Sequence, residues 1–176
     1  LKKKYFGPPA VVGINAGCYF PVGPFKDRFA IQPHLSAFAE INSVFARGLF
    51  FGIDAGYMFM SYKSDRDIRF DGATLKVYAQ YRFLDLRVLT SPARYLSPFV
   101  AAGAGMTYIL RRDNRTLALG TTRKNEINAL YTIAAGLDVF ATESIIVRIQ
   151  GSWLGIQQQN ALMNAFSTSV GIMWGF

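Results

Sequence analysis

Residues 166–176 read Phe-Ser-Thr-Ser-Val-Gly-Ile-Met-Trp-Gly-Phe. Side chains alternate across a strand with period two, so Phe166, Thr168, Val170, Ile172, Trp174 and Phe176 share one face. Ser167, Ser169, Gly171, Met173 and Gly175 share the other, which is small, weakly polar and uncharged. A sheet in water buries its apolar face and studs the opposite one with charge. An uncharged second face belongs instead to a strand whose apolar side meets lipid and whose other side lines a crowded barrel interior.

Composition points the same way. Of 176 residues, 51% are apolar, 15% aromatic and 17% charged, against about 25% charged in an ordinary soluble domain. The length suits one domain, with residues 1–9 as a basic, proline-stiffened periplasmic lead-in and 10–176 as the barrel. The stretch Ile149–Phe176 carries no charge but is full of Gln, Asn, Ser and Gly. Tyr5–Phe25 is also uncharged, but Gly7, Pro8, Pro9, Gly13, Gly17 and Pro21 interrupt it. A spanning helix needs about 20 mostly apolar residues, so any crossing here is made by strands. One cysteine, Cys18, excludes an internal disulfide framework and reads as a small apolar residue. The start at Leu1-Lys2-Lys3-Lys4 is compatible with a removed export signal.

Period-two runs predict eight strands, near 11–20, 34–43, 48–62, 73–84, 95–110, 127–140, 144–156 and 166–176. Connections around Ser43–Arg47, Leu84–Arg94 and Ala141–Glu143 are mostly short. Those around Pro21–Pro33, Lys63–Gly72, Arg111–Glu126 and Gln157–Met163 are longer and polar. The expected fold is all-β, an eight-stranded antiparallel up-and-down transmembrane β-barrel. Its termini are expected on the periplasmic side and its long loops outside the cell.

Charge placement separates this from a soluble barrel with a greasy interior, which would scatter Lys and Glu over its wet face. Here the polar face of all the strands carries only Glu40, Asp54, Lys76, Arg82, Asp138 and Arg148. Three acids and three bases suit mutual pairing in a narrow lumen. Glycines on that face leave room for Tyr19, Phe38, Phe50, Tyr78 and Phe99 to fill it. On the apolar face, Tyr57, Phe59, Tyr108 and Trp153 gather toward the long-loop side, and Tyr81, Phe83, Trp174 and Phe176 toward the short-turn side. Rings at headgroup level form such girdles.

Ser97–Tyr108 (Ser-Pro-Phe-Val-Ala-Ala-Gly-Ala-Gly-Met-Thr-Tyr), the Ala135–Phe140 and Glu143–Arg148 hairpin, and the terminal aromatic strand resemble the small outer-membrane β-barrel family, the OmpA, OmpX and OmpW-like proteins. The resemblance implies a bacterial outer-membrane location and a terminal segment, supplied by Trp174 and Phe176, that the barrel-insertion machinery reads. Outer-membrane lipid and lipopolysaccharide are the expected surroundings, and other outer-membrane or periplasmic subunits the expected partners of an accessory role.

For chemistry, the six lumen charges should pair, because an isolated buried charge is very costly. They read as a polar plug, with a gated water or ion path as the sharper alternative. His34 and Ser36 share a face, and the His-x-Ser spacing resembles the lipid A 3-O-deacylase barrels, whose hydroxyl nucleophile is activated by an imidazole. The Asn-Ala that follows in that motif is replaced by Ala37-Phe38. No catalytic, metal or cofactor constellation appears otherwise. The loops are basic, concentrated at Arg111, Arg112, Arg115, Arg123 and Lys124. Arginine forks there suit lipopolysaccharide phosphates or an acidic polymer, and no nucleic-acid module surrounds them. The expected role is a non-enzymatic structural or surface-interaction protein working through these loops. A narrow channel for ions or small hydrophobic solutes, and a lipid A-modifying enzyme using His34 and Ser36, are the alternatives.

Overall fold

A computed structural model describes residues 8–27, 29–43, 45–61, 63, 68–83, 96–113, 124–142, 144–158 and 161–176. The strands are β1 (Ala10–Pro21), β2 (Gln32–Asn42), β3 (Leu49–Ser61), β4 (Ile68–Arg82), β5 (Leu96–Asp113), β6 (Lys124–Phe140), β7 (Ile145–Gln158) and β8 (Ala161–Gly175). Each pairs antiparallel with its neighbours in sequence, and β1 pairs with β8 to close the barrel. Closure leaves no unpaired sheet edge facing hydrocarbon, where no water could satisfy it.

The stagger follows from the register. Starting at Val12, cross-strand partners lead through Ala39, Ile53, Val77, Ala104, Tyr131 and Gly155 to Asn164. The carbonyl of Asn164 accepts from the Val22 amide, so one circuit returns ten residues further along β1. With a rise of about 3.3 Å per residue and strands about 4.8 Å apart, that shear tilts the strands by about 40°.

Every strand alternates as its pattern predicts. Val12, Ile14, Leu35, Ile53, Leu75, Val77, Val100, Ile133, Val170 and Trp174 lie exposed on the outer wall. Asn15, Ser36, Glu40, Asp54, Gln80, Arg82, Thr107, Asp138, Arg148 and Ser169 are buried inside it. This inversion, apolar outward and charge inward, is the lipid-facing arrangement of a transmembrane barrel.

Several strands run further than the sequence reading at the end away from the termini. β4 begins at Ile68 rather than 73, β5 runs to Asp113 rather than 110, and β6 starts at Lys124 rather than 127. Of the stretch Gln157–Met163, expected as a long loop, the described residues are strand: Gln157 pairs with Leu162 and Gln158 with Ala161. A tilted strand crosses the membrane in about 9–11 residues, so β4, β5 and β6, of 15, 18 and 17 residues, continue beyond it. They do so at the end away from the termini, called here the distal end. The span between β4 and β5 was expected to be mostly short, yet 13 residues separate Arg82 from Leu96, and 84–95 lie outside the described residues.

At the terminal end the turns are tied by hydrogen bonds. Gly48 has φ +82°, a conformation that a side chain would strain, and its carbonyl accepts from the Arg82 amide at 2.8 Å. In the β6–β7 turn, the Thr142 hydroxyl accepts from the Ile145 amide at 2.9 Å. At the distal end the β1–β2 connection forms a 3-10 turn at Gly23–Phe25 and then folds inward, burying Phe29.

Candidate functional site

Four of the six predicted lumen charges meet. Glu40 on β2, Arg82 on β4, Asp138 on β6 and Arg148 on β7 converge although they come from four strands, and none is more than 2% exposed. Asp138 and Arg148 are direct cross-strand partners. Arg148 grips Asp138 through a fork, Nε to Oδ1 at 2.8 Å and Nη2 to Oδ2 at 3.0 Å. Its Nη1 and Nη2 also donate to Glu40 Oε1 and Oε2. Arg82 donates from Nη2 to Glu40 Oε2 at 2.7 Å, and its Nε stands 2.9 Å from Asp138 Oδ2. Two acids and two bases sum to zero formal charge, which is what allows them to be buried together.

Aromatic rings complete the cage. The Arg82 guanidinium lies 4.0 Å from the Phe50 ring centroid, and that of Arg148 lies 4.6 Å from Phe99 and 5.1 Å from Phe38. The Tyr78 hydroxyl donates to Glu40 Oε1 at 2.9 Å. Glycine makes the room for these rings: a Cβ on Gly52 or Gly103 would collide with Tyr78, and one on Gly136 with Phe99. The remaining pair, Asp54 and Lys76, are cross-strand partners 3.5 Å apart, and Ser36 donates to Asp54 Oδ2 at 3.0 Å.

The lumen is closed twice more by apolar side chains, of which the period-two reading places Tyr19, Phe38 and Met173 on the inner face. Val11, Phe38, Phe140, Ile146 and Met173 pack at the terminal end. At the distal end Tyr19, Met58, Ile109, Leu130, Leu154 and Ile156, with Phe29 from the folded loop, form a larger cluster. The available signal was adjacent apolar residues, such as Ile145-Ile146 and Trp153-Leu154, which put one member on each face. Between the distal cluster and the ion cluster remains a polar cavity of about 30 Å³, lined by residues including Asn15, Asp54, Lys76, Gln80 and Gln150.

His34 and Ser36 both lie on the lumen side of β2. The His34 ring packs on Tyr19 with centroids 4.2 Å apart, while the Ser36 hydroxyl is engaged by Asp54. Among the described residues no group of three or more His, Cys, Asp or Glu could hold a metal. The predicted girdle rings are all on the outer wall. Tyr57 meets Phe59 edge-on at 4.8 Å and Tyr81 meets Phe83 at 5.2 Å. Tyr108 is exposed toward the distal end, and Trp174 and Phe176 are exposed toward the terminal end. Trp153 stands between Ile133 and Phe166, five residues short of the end of β7, and so lies inside the band.

The predicted basic loop divides. Arg115 and Arg123 lie outside the described residues, whereas Arg111, Arg112 and Lys124 fall on strands. The register sets Arg111 opposite Lys124 and Arg112 opposite Arg69.

A comparison with protein-family models finds no match, and neither does one with curated proteins. Solved structures do match. Neisserial surface protein A has a TM-score of 0.71 at 14% identity, over 96% of this chain and 97% of that one. Ail, the attachment invasion locus protein of Yersinia pestis, has a TM-score of 0.57 at 9% identity over 97% and 99%, and has also been solved with the heparin analogue sucrose octasulfate. The outer membrane enzyme PagL has a TM-score of 0.57 at 16% identity over 92% and 97%. At these identities the likeness is one of fold: the chain has the closed eight-stranded architecture of the small bacterial outer-membrane barrels. That fold carries both an attachment protein and an enzyme, so function must be argued from the site.

Proposed function

We propose that this outer-membrane barrel is a surface-interaction protein, non-enzymatic, whose working groups are the basic residues of the distal hairpins. On this reading the termini face the periplasm, the distal end faces outward, and the filled lumen is a scaffold rather than a conduit. The observation that carries it is the continuation of β4, β5 and β6 past the apolar band into an arginine-rich segment held by a paired sheet. A rigid ribbon presents cations with less ordering entropy than a loose loop does. Ail, with the same architecture, takes a heparin analogue, which makes an acidic polymer the natural probe. Replacing Arg111, Arg112, Arg115 and Arg123 by Gln should weaken heparin binding by at least about tenfold, because multiple cations on a polyanion act together through counterion release. Unchanged elution from a heparin column would remove this role.

The non-enzymatic part of the reading is supported by the surroundings of His34 and Ser36. Their side chains face a packed lumen, and the hydroxyl is held by a carboxylate instead of an imidazole. Nothing there brings an acyl chain within reach of a nucleophile. Lipid A from cells expressing the wild type and Ser36→Ala should give the same mass spectrum; a deacylated species seen only with the wild type would restore the enzyme.

A further inference from the structure

We infer that the polar chamber between the distal cluster and the charge cage is a binding site for ordered, slowly exchanging water, which joins the Asp54–Lys76 pair to the cage. This rests on the reading of the lumen as closed and gives that closed lumen a resident ligand. The room for it comes from small residues. Gln80, Ala101, Ala134 and Ser152 are successive cross-strand partners on the inner face of β4, β5, β6 and β7. Phe99 fills the lumen toward the terminal end of this row, and Leu130 and Leu154 fill it toward the distal end. Asn15 enters from β1, and its cross-strand partner Gly171 supplies the clearance, since a Cβ there would collide with Asn15 Oδ1.

Three buried polar atoms of the lining residues point to the ligand. Asn15 Oδ1 and Gln80 Nε2 have no hydrogen-bond partner among the described residues, and Asp54 Oδ1 has only the Lys76 ammonium at 3.5 Å. Asn15, Gln80 and Asp54 are 4%, 1% and 4% exposed. Buried polar atoms in folded proteins are nearly always satisfied, because leaving one orphaned costs its full desolvation. The donor set selects what satisfies them. Asn15 Oδ1 and Asp54 Oδ1 accept, whereas Gln80 Nε2 and Lys76 Nζ donate, so the ligand must do both. A cation would face Lys76 and Arg148, and an anion would face Asp54. Water meets neither objection. One water needs about 10–15 Å³ of such space and makes about three hydrogen bonds, so a chamber of about 30 Å³ takes about two. Asp54 and Lys76 line the same chamber as Tyr78 and Arg148, both of which are bonded to Glu40. The waters therefore bridge the two ion groups that the strands keep apart.

Oxygen-17 magnetic relaxation dispersion of the purified protein in detergent micelles counts waters held longer than the particle tumbles, and it is blind to exchanging protons. The variant Asn15→Leu, Gln80→Met keeps side chains of similar volume without the polar partners, and should hold about two fewer such waters than wild type. Ala134→Leu fills the chamber from β6 and leaves every polar partner in place, and it should lose the same waters. Heat-modifiable gel mobility identifies the folded variants, and an unchanged count in a folded one overturns the site. Wild-type crystals give a second measurement that needs no variant. Water peaks within hydrogen-bond distance of Asn15 Oδ1, Asp54 Oδ1 and Gln80 Nε2 are expected at high resolution, and a chamber without them overturns the site. Osmotic swelling of proteoliposomes separates the site from the reading beneath it. Swelling faster than that of protein-free vesicles would sink the closed lumen, whereas ordinary swelling with an unchanged water count sinks the water site alone.

Discussion

Truncating Arg148 to alanine should destabilise the barrel by about 3–5 kcal/mol, the usual cost of breaking a buried ion pair from one side. It is the largest loss expected from any single lumen side chain. Among the described residues Arg148 alone touches both Asp138 and Glu40 with paired hydrogen bonds, and the Phe38 and Phe99 rings lie against its guanidinium. Without it, two buried carboxylates must share Arg82, and no solvent reaches them to compensate. Arg148→Lys keeps the charge but loses the planar fork, so it should fall between wild type and alanine. Removing one charge of each sign, as in Glu40→Gln with Arg148→Met, should cost less than Arg148→Ala alone, because the remaining pair stays neutral. Urea unfolding of the protein in lipid vesicles measures all of these. An Arg148→Ala barrel as stable as wild type would mean that the four charges are not coupled as the geometry requires.

The second large effect concerns the wall. Ile133 is 66% exposed near the middle of the outer face, and Ile127 is 74% exposed at its distal rim, opposite Tyr108. In water the two would be equivalent surface positions, and arginine would be harmless at either. In a bilayer, arginine at the midplane costs about 2–4 kcal/mol and near the interface about 0–1 kcal/mol. Ile133→Arg should therefore lose far more stability in vesicles than Ile127→Arg. Equal losses at the two positions would contradict the lipid-facing assignment of this wall.

Strand faces were legible because alternation is a local property. Phe166–Phe176 displays it residue by residue, and the structure exposes Phe166, Val170, Ile172 and Trp174 while burying Ser167, Ser169 and Met173. Strand ends were less legible, because polarity marks where a strand leaves lipid and not where pairing stops. Arg69, Asp71, Arg111, Arg112 and Glu126 look like loop residues yet sit in the ladder. The lumen charges could be named from their face and sorted by height, Glu40, Arg82, Asp138 and Arg148 toward the periplasmic strand ends and Asp54 and Lys76 nearer the middle, but which atoms meet could not be read. Glu40 and Arg148 are 108 residues apart, and only closure of the sheet with its stagger brings them together. The distal apolar cluster was hidden for a further reason. Leu130, Leu154 and Ile156 sit among outward apolar residues, and a barrel's inner face need not be polar when its neighbours are also apolar.

That cluster bears on any leak through the wall. Ions entering the tube would meet the charge cage and the greasy stopper in turn, with only a droplet-sized chamber between them. Obstructions in series demand coincidence: the chance that both stand aside at one instant is the product of two small chances. On the proposed reading, loosening either alone would leave the tube closed, and the exposed ribbon could vary independently of the barrier.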